Sequence, residues 1–164
     1  MLVTNSLAST DIIAVHAGYR QYRKRLLDIG VEIHETKPSS HSRTQPRELL
    51  HYGRVSLHAK AYVFDRSHVV IGSLNLDPRS MLLNTEIGVL VSNVLFAERV
   101  AEHIMSLASD ASSYRLCQEG EFETLVWEDR RGEQTTRYLR EPKASLWRRT
   151  SVHFLSWLPI EDLL

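Results

Sequence analysis

The chain has 164 residues, 43% of them hydrophobic and 24% charged, with 7 Gly and 5 Pro. Those fractions describe one globular domain of ordinary size and exclude a disordered or fibrous chain. Lys and Arg total 20 and so do Asp and Glu, so bulk charge does not hold the chain to nucleic acid or anionic lipid, and an anionic partner must be met locally.

Met1 to Asn5 reads as a short strand. Ser9, Thr10 and Asp11 are capping candidates for a helix reaching about Ile29, where Gly30 stops it. Ile12, Val15, Tyr19, Tyr22, Leu26 and Ile29 recur at spacings of three and four and predict its inner face. Arg20, Arg23, Lys24 and Arg25 on the same helix read as a solvated face, and they belong to an N-terminal third carrying a local surplus of positive charge. Val31 to Glu35 alternates like a strand, and Thr36 to about Gln45 reads as a loop. Val55 to Asp65 is the best strand candidate. Val69 to Gly72 is a second strand and Thr85 to Val91 a third, with Asp65-Arg66-Ser67-His68 turning a hairpin between the first two. Val94 to about Ser109 carries Ala97, Val100, Ala101, Ile104 and Ala108 at helical spacing. Leu125 to Trp127 and Thr135 to Leu139 flank a turn at Asp129 to Gly132, and Leu146 to Leu158 predicts a helix with Trp147, Phe154, Leu155 and Leu158 inward. Strands alternating with helices give an α/β class, a mixed sheet flanked by helices.

Lone Cys117 excludes an internal disulfide and a cysteine-based zinc cluster, and reads as a small buried hydrophobe. No apolar run approaches the ~20 residues of a membrane-spanning helix, and Met1-Leu2-Val3 does not open a signal peptide. His34, His41 and His51 have no Cys or carboxylate partner at ligand spacing and read as surface histidines.

The chemistry concentrates in Leu57 to Asp65 and Gly72 to Asn75. His58 and Lys60 stand two apart on a strand and emerge on one face. Ser73 and Asn75 repeat that spacing where the next strand ends, and Gly72 lets backbone approach closely there. A hairpin brings an imidazole, an ammonium, a hydroxyl and an amide to one point. That set suits a phosphodiester, with His58 as nucleophile and Lys60 and Asn75 neutralising the phosphoryl oxygens.

The pattern His58-x-Lys60-x4-Asp65-x6-Gly72-Ser73-x-Asn75 is similar to the HKD signature of the phospholipase D superfamily. Glu86 matches that family's acidic residue, which orients the catalytic His. Thr4 to Leu7, Asp11, Val15 to Tyr19, Arg23, Gly30-Val31 and the ending Phe154 to Pro159 resemble the second half of bacterial two-motif cardiolipin synthases, closely over residues 3–93 and more loosely beyond. The resemblance implies one phospholipase D-like half-domain over residues 1–164, with 111–164 a C-terminal hairpin and helix extension. It implies phosphatidyl transfer through a phosphohistidine, with a phospholipid substrate, no metal, no cofactor and no nucleic acid. His58, Lys60, Asp65 and Glu86 then form the catalytic set, with His58 the nucleophile or the acid, and Lys60, Ser73 and Asn75 bind phosphate. The expected location is the bacterial cytoplasm, peripheral at the inner membrane.

The departure is that one HKD motif is present where those enzymes combine two. A second motif comes from a missing N-terminal half, or from a second copy as in the superfamily's single-motif nucleases; a catalytically silent fragment is the third reading. His16 matches a family residue and is either packing or functional. Arg79 either touches substrate or forms a structural ion pair. The Trp147, Arg148, Arg149, Phe154 and Trp157 stretch either rests in a lipid interface or packs on the core.

Overall fold

Strand β1 (Leu2–Asn5) crosses over through helix α1 (Ile13–Asp28) and returns as β2 (Ile33–Thr36), parallel to β1 with Leu2 beside Ile33 and Asn5 beside Thr36. This computed structural model describes residues 1–38, 57–75 and 78–156, without the side chains of Pro78 and Arg79. Gly30 ends α1 in a Schellman motif: its N–H donates to the Leu27 carbonyl, the Val31 N–H donates to the Leu26 carbonyl, and its φ is +83°. The expected cap is displaced. Ile12 occupies the N-cap with no side-chain bond, because Ser6 to Thr10 form a turn of their own in which the Ser9 hydroxyl meets Ser6 and Thr36.

Residues beyond 111 are integral to the sheet rather than appended to it. Strands β6 (Ser113–Glu119), β7 (Thr124–Arg131) and β8 (Gln134–Tyr138) complete a five-stranded mixed sheet of order β1-β2-β6-β7-β8. Strand β6 escapes the sequence reading altogether. The last hairpin turns at Gly132–Glu133, later than expected, because Asp129 stays in β7 to pair with Lys37 at 2.6 Å.

A second sheet, antiparallel and three-stranded, holds β3 (Lys60–Phe64), β4 (His68–Gly72) and β5 (Gly88–Ser92). The β3 ladder begins five residues later than the sequence suggests, and β5 begins at Gly88 because Glu86 and Ile87 are engaged elsewhere. Helix α3 (Val94–Leu107) packs on this sheet through buried Ala97, capped by the Asn93 side chain, which accepts from the Phe96 N–H at 2.9 Å. A short helix, α2 (Pro78–Leu82), lies in the chain between β4 and β5 of this sheet.

Two apolar clusters form the core. Leu7, Ala8, Ala17, Ala144 and Val152 pack between α1 and helix α4 (Leu146–Leu155), while Ile33, Tyr114, Leu116 and Trp127 lie on the five-stranded sheet under Tyr19, Leu26 and Leu27 of α1. The inner face of α1 keeps Tyr19 and Leu26 of the predicted apolar stripe but not its ends, and takes in polar residues beside them. Ile12 and Ile29 are 58% and 71% exposed, and the buried residues are His16, Ala17 and Arg23. Arg23, read from sequence as solvated, is wholly buried. Its guanidinium contacts Glu35 at 2.8 Å, Glu141 at 3.0 Å and the His16 ring nitrogen Nε2 at 2.8 Å. The Trp127 indole N–H and the Tyr19 hydroxyl donate to the two Glu35 oxygens, at 2.8 and 3.1 Å, so the buried carboxylate is satisfied from three sides. Lys24 and Arg25 do stay exposed.

His34 is also buried rather than superficial, 3.2 Å from the Glu32 carboxylate; His41 and His51 lie outside the described residues. Cys117 is half-buried, and that burial pushes its thiol pKa up. Helix α4 turns Val152 and Leu155 inward and leaves Trp147 and Phe154 exposed, because the guanidinium of Arg148 is drawn to the Leu7 and Thr10 carbonyls and that of Arg149 to the Glu141 carbonyl. Leu158 and Trp157 lie outside the described residues. Among the described residues, no helix is long and apolar enough to cross a membrane.

Candidate active site

Strand alternation carries His58 and Lys60 to the same side as β3 begins, and the β3–β4 register sets Lys60 directly opposite Gly72. Gly72 in turn faces Gly88 on β5. A Cβ on Gly72 would fall 2.2 Å from the Ile87 carbonyl oxygen, so only glycine admits this approach of β4 and β5. The chain then leaves β4 through Ser73 and Asn75. The result is an open depression of about 650 Å³ lined by His58, Lys60, Ser73, Asn75 and Glu86 on a floor of Gly72 and Gly88, with Ile71, Ile87 and Val89 as its apolar part.

Ser73 is the knot of the site. Its N–H donates to the Ile87 carbonyl at 2.9 Å, its hydroxyl accepts from the Ile87 N–H at 3.0 Å, and the same hydroxyl donates to Glu86 Oε2. Asn84 Nδ2 donates to the other Glu86 oxygen at 3.4 Å. The Ser73 bond holds the Glu86 carboxyl below the usual carboxylate range against some desolvation, helped by Ser80, Asn84 and the Lys60 ammonium. Lys60 Nζ donates to the His58 carbonyl at 2.9 Å, and Tyr62 donates to the Leu74 carbonyl at 2.7 Å, fixing the residue between Ser73 and Asn75.

Five of the residues singled out from sequence thus share one concavity, with Gly72 beneath them. Two details differ from expectation. Glu86 is bonded to Ser73, Ser80 and Asn84, and among the described residues no hydrogen bond reaches the His58 ring. Asp65 does not line the depression. It sits at the far end of β3 with φ +48°, beside Arg66 at +50°, in a turn closed by the Ser67 N–H donating to the Phe64 carbonyl. Positive φ at two successive positions is what an Asp tolerates in a tight hairpin, so its visible role is the turn.

Sequence reasoning missed Ser80 and Asn84 as holders of Glu86, and Asn5, whose side chain bonds the backbone just before His58. Only their polarity next to the signature marked the first two. Among the described residues, no group of three or more His, Cys, Asp or Glu is placed to hold a metal ion.

Comparison with known proteins gives the site its family. The model of the family described as "Cardiolipin synthase, PLD-like domain" matches residues 1–108, from β1 to the end of α3. Cardiolipin synthase C of Escherichia coli (strain K12) is 39% identical over 166 residues, covering 99% of this chain and 34% of that protein. Uncharacterised proteins of two Helicobacter pylori strains are each 39% identical over 99 residues, covering 60% of this chain and 19% of theirs. The chain therefore spans about a third of the E. coli relative's length. No solved structure matches. With its signature residues gathered in one depression and the family model covering most of its length, the chain belongs to the family of cardiolipin synthase PLD-like domains.

Proposed function

We propose that this chain supplies one half of a two-part phosphatidyltransferase site acting on phospholipid at a membrane surface. The observation that carries the reading is the convergence of His58, Lys60, Ser73, Asn75 and Glu86 in one depression, where among the described residues His58 supplies the one imidazole. A ring nitrogen of His58 attacks the phosphorus of a donor phosphatidyl group, forming a P–N bond as the P–O bond to the leaving alcohol breaks. The departing oxygen takes its proton from an acid on the opposite side of phosphorus. The acceptor, the glycerol hydroxyl of phosphatidylglycerol, then loses its proton to that same group and attacks, breaking the P–N bond. Lys60 and Asn75 neutralise and hold the non-bridging phosphoryl oxygens, and Ser73 keeps the Glu86 carboxylate ionised in the same depression.

One imidazole cannot be nucleophile and opposite-side acid in the same step, so a second HKD motif completes the site. The length of the E. coli relative favours a source in the same longer protein over a second copy of this chain. The apolar rim agrees: Ile87 and Val89 beside the reacting groups are 77% and 61% exposed, a surface for a covering half. The cytoplasmic side of a bacterial inner membrane is the place where such a protein meets this substrate.

The test mixes the chain with the N-terminal half of a two-motif relative and follows transfer from labelled phosphatidylglycerol. Neither half should turn over alone, and the mixture should make cardiolipin. His58→Ala in the mixture should lose about a thousandfold or more. Phosphodiester cleavage by the chain alone, squared in its concentration, would instead establish the homodimeric phosphodiesterase; linear dependence would sink the half-site reading.

A further inference from the structure

Asn5 is the last residue of β1, which among the described residues is an edge strand of the five-stranded sheet. Its side chain takes hold of a backbone distant in sequence. The Leu57 N–H donates to Asn5 Oδ1 at 2.8 Å, and Asn5 Nδ2 donates to the Leu57 carbonyl at 2.9 Å. One carboxamide thus makes the two bonds that a residue on a neighbouring strand would make, and joins the edge of one sheet to the segment that enters the other.

Leu57 immediately precedes His58. Its carbonyl belongs to the peptide group whose nitrogen is that of His58, and its N–H belongs to the peptide group before, so two successive peptide planes leading into His58 are held. On the other side, Lys60 Nζ donates to the His58 carbonyl and Lys60 joins the ladder opposite Gly72. The His58 backbone is clamped before and after, while its ring has no hydrogen bond among the described residues. We propose that Asn5 is a positioning residue that sets the place of the His58 imidazole by fixing the Leu57–His58 backbone.

Side-chain chemistry makes the assignment specific. Asn presents a donor and an acceptor in one plane; Asp keeps the acceptor but turns a negative oxygen towards the Leu57 carbonyl; Ala has neither. A role limited to holding the two sheets together would lower stability without altering turnover per folded molecule. A positioning role lowers kcat and leaves KM nearly unchanged, since displacement of a reacting group by about an ångström can cost on the order of a hundredfold in rate.

The inference rests on His58 being the reacting group, and two readouts separate its failure from that of the functional reading. In the chain alone, NMR follows exchange of the Leu57 amide and the ring signals of His58 in wild type, Asn5→Asp and Asn5→Ala. Asn5→Ala should speed Leu57 exchange about tenfold or more relative to neighbouring amides and move the His58 ring signals, whereas Asn5→Asp should keep the exchange slow and still move the ring. In the reconstituted mixture, both variants should lower kcat about tenfold or more, with KM within about twofold. Asn5→Asp keeps the test open if Asn5→Ala does not fold. Unchanged His58 ring signals in both folded variants overturn the proposal whether or not the mixture transfers lipid. Full kcat in a folded variant, with wild type active, also overturns it; an inactive wild-type mixture counts against the functional reading, and the ring signals then decide on Asn5.

Discussion

Gly72 shows how much a single missing side chain decides. It lies opposite Lys60 on one side and Gly88 on the other, and the next residue is Ser73. A Cβ there would meet the Ile87 oxygen at 2.2 Å and Gly88 Cα at 2.8 Å, both backbone atoms that cannot swing aside. Gly72→Ala should therefore part β4 from β5, shift Ser73 off Ile87 and destabilise the chain by about 2 kcal/mol or more, within the range for overpacked sites. Gly88→Ala is the control, since a Cβ there meets Val70 Cγ1 at 3.7 Å and the Ile71 oxygen at 3.8 Å, ordinary contacts. Urea unfolding of the two variants gives the comparison; equal losses would show that close approach at Gly72 is not what requires glycine.

At the scale of elements, the sequence was readable where the decisive contacts are local. The hairpin from β3 to β4 follows from Asp65 and the flanking apolar runs, and the spacing of His58, Lys60, Ser73 and Asn75 by itself predicts that four polar groups meet. Helix α1 is only partly legible because its inner face combines Ala17, Tyr19 and Leu26 with buried polar His16 and Arg23. The partners that make Arg23 a buried residue, Glu35 and Glu141, come from β2 and from the segment before α4, and apolar periodicity carries no trace of them. The α4 face was misread for a similar reason, since Arg148 is drawn inward by carbonyls of the turn after β1. Strand β6 alternates weakly, and its pairing with β2 and β7 is what makes it a strand. Burial by itself disfavours the Arg23 charge, yet Glu35, the Tyr19 oxygen and Glu141 outweigh that and hold the guanidinium firmly protonated. Removing the cation strands the Glu35 carboxylate in the interior, so Arg23→Met should cost about 3–5 kcal/mol. Adding Glu35→Gln to Arg23→Met should return part of that loss, because the stranded charge goes too. A double variant no more stable than the single one in denaturant titrations would place the cost in packing rather than charge.

The molecule as a whole carries the same network as a pH dependence. Arg23 only donates hydrogen bonds, so His16 Nε2, at 2.8 Å from its Nη2, must offer a lone pair and the ring must be neutral. Burial first, and the positive charges of Arg23, Arg20 and Arg148 after it, hold the His16 pKa well below its ordinary value of 6.5. Below about pH 6.5 the unfolded chain takes up a proton at His16 that the folded chain refuses. Stability therefore falls as pH drops, by at most about 1.4 kcal/mol per pH unit from this one group. The carboxyls of Glu86, Glu128 and Asp129 also lie below their ordinary values, held by Ser73, by Arg130 and, against burial, by Lys37, and their contributions are lost only at lower pH. His16 contributes its share of the slope between about pH 6.5 and 5, above the range where those carboxyls act. His16→Gln keeps an acceptor for Arg23 and removes the titration, so it should flatten the curve in that window while leaving acid unfolding at lower pH in place. Urea midpoints at pH 7.5 and 5.5 measure this: wild type should lose about 1 kcal/mol between them and His16→Gln much less. Equal losses in the two proteins would mean that the pH dependence arises at other groups, and that the buried ring beside Arg23 on α1 is not what acid attacks first.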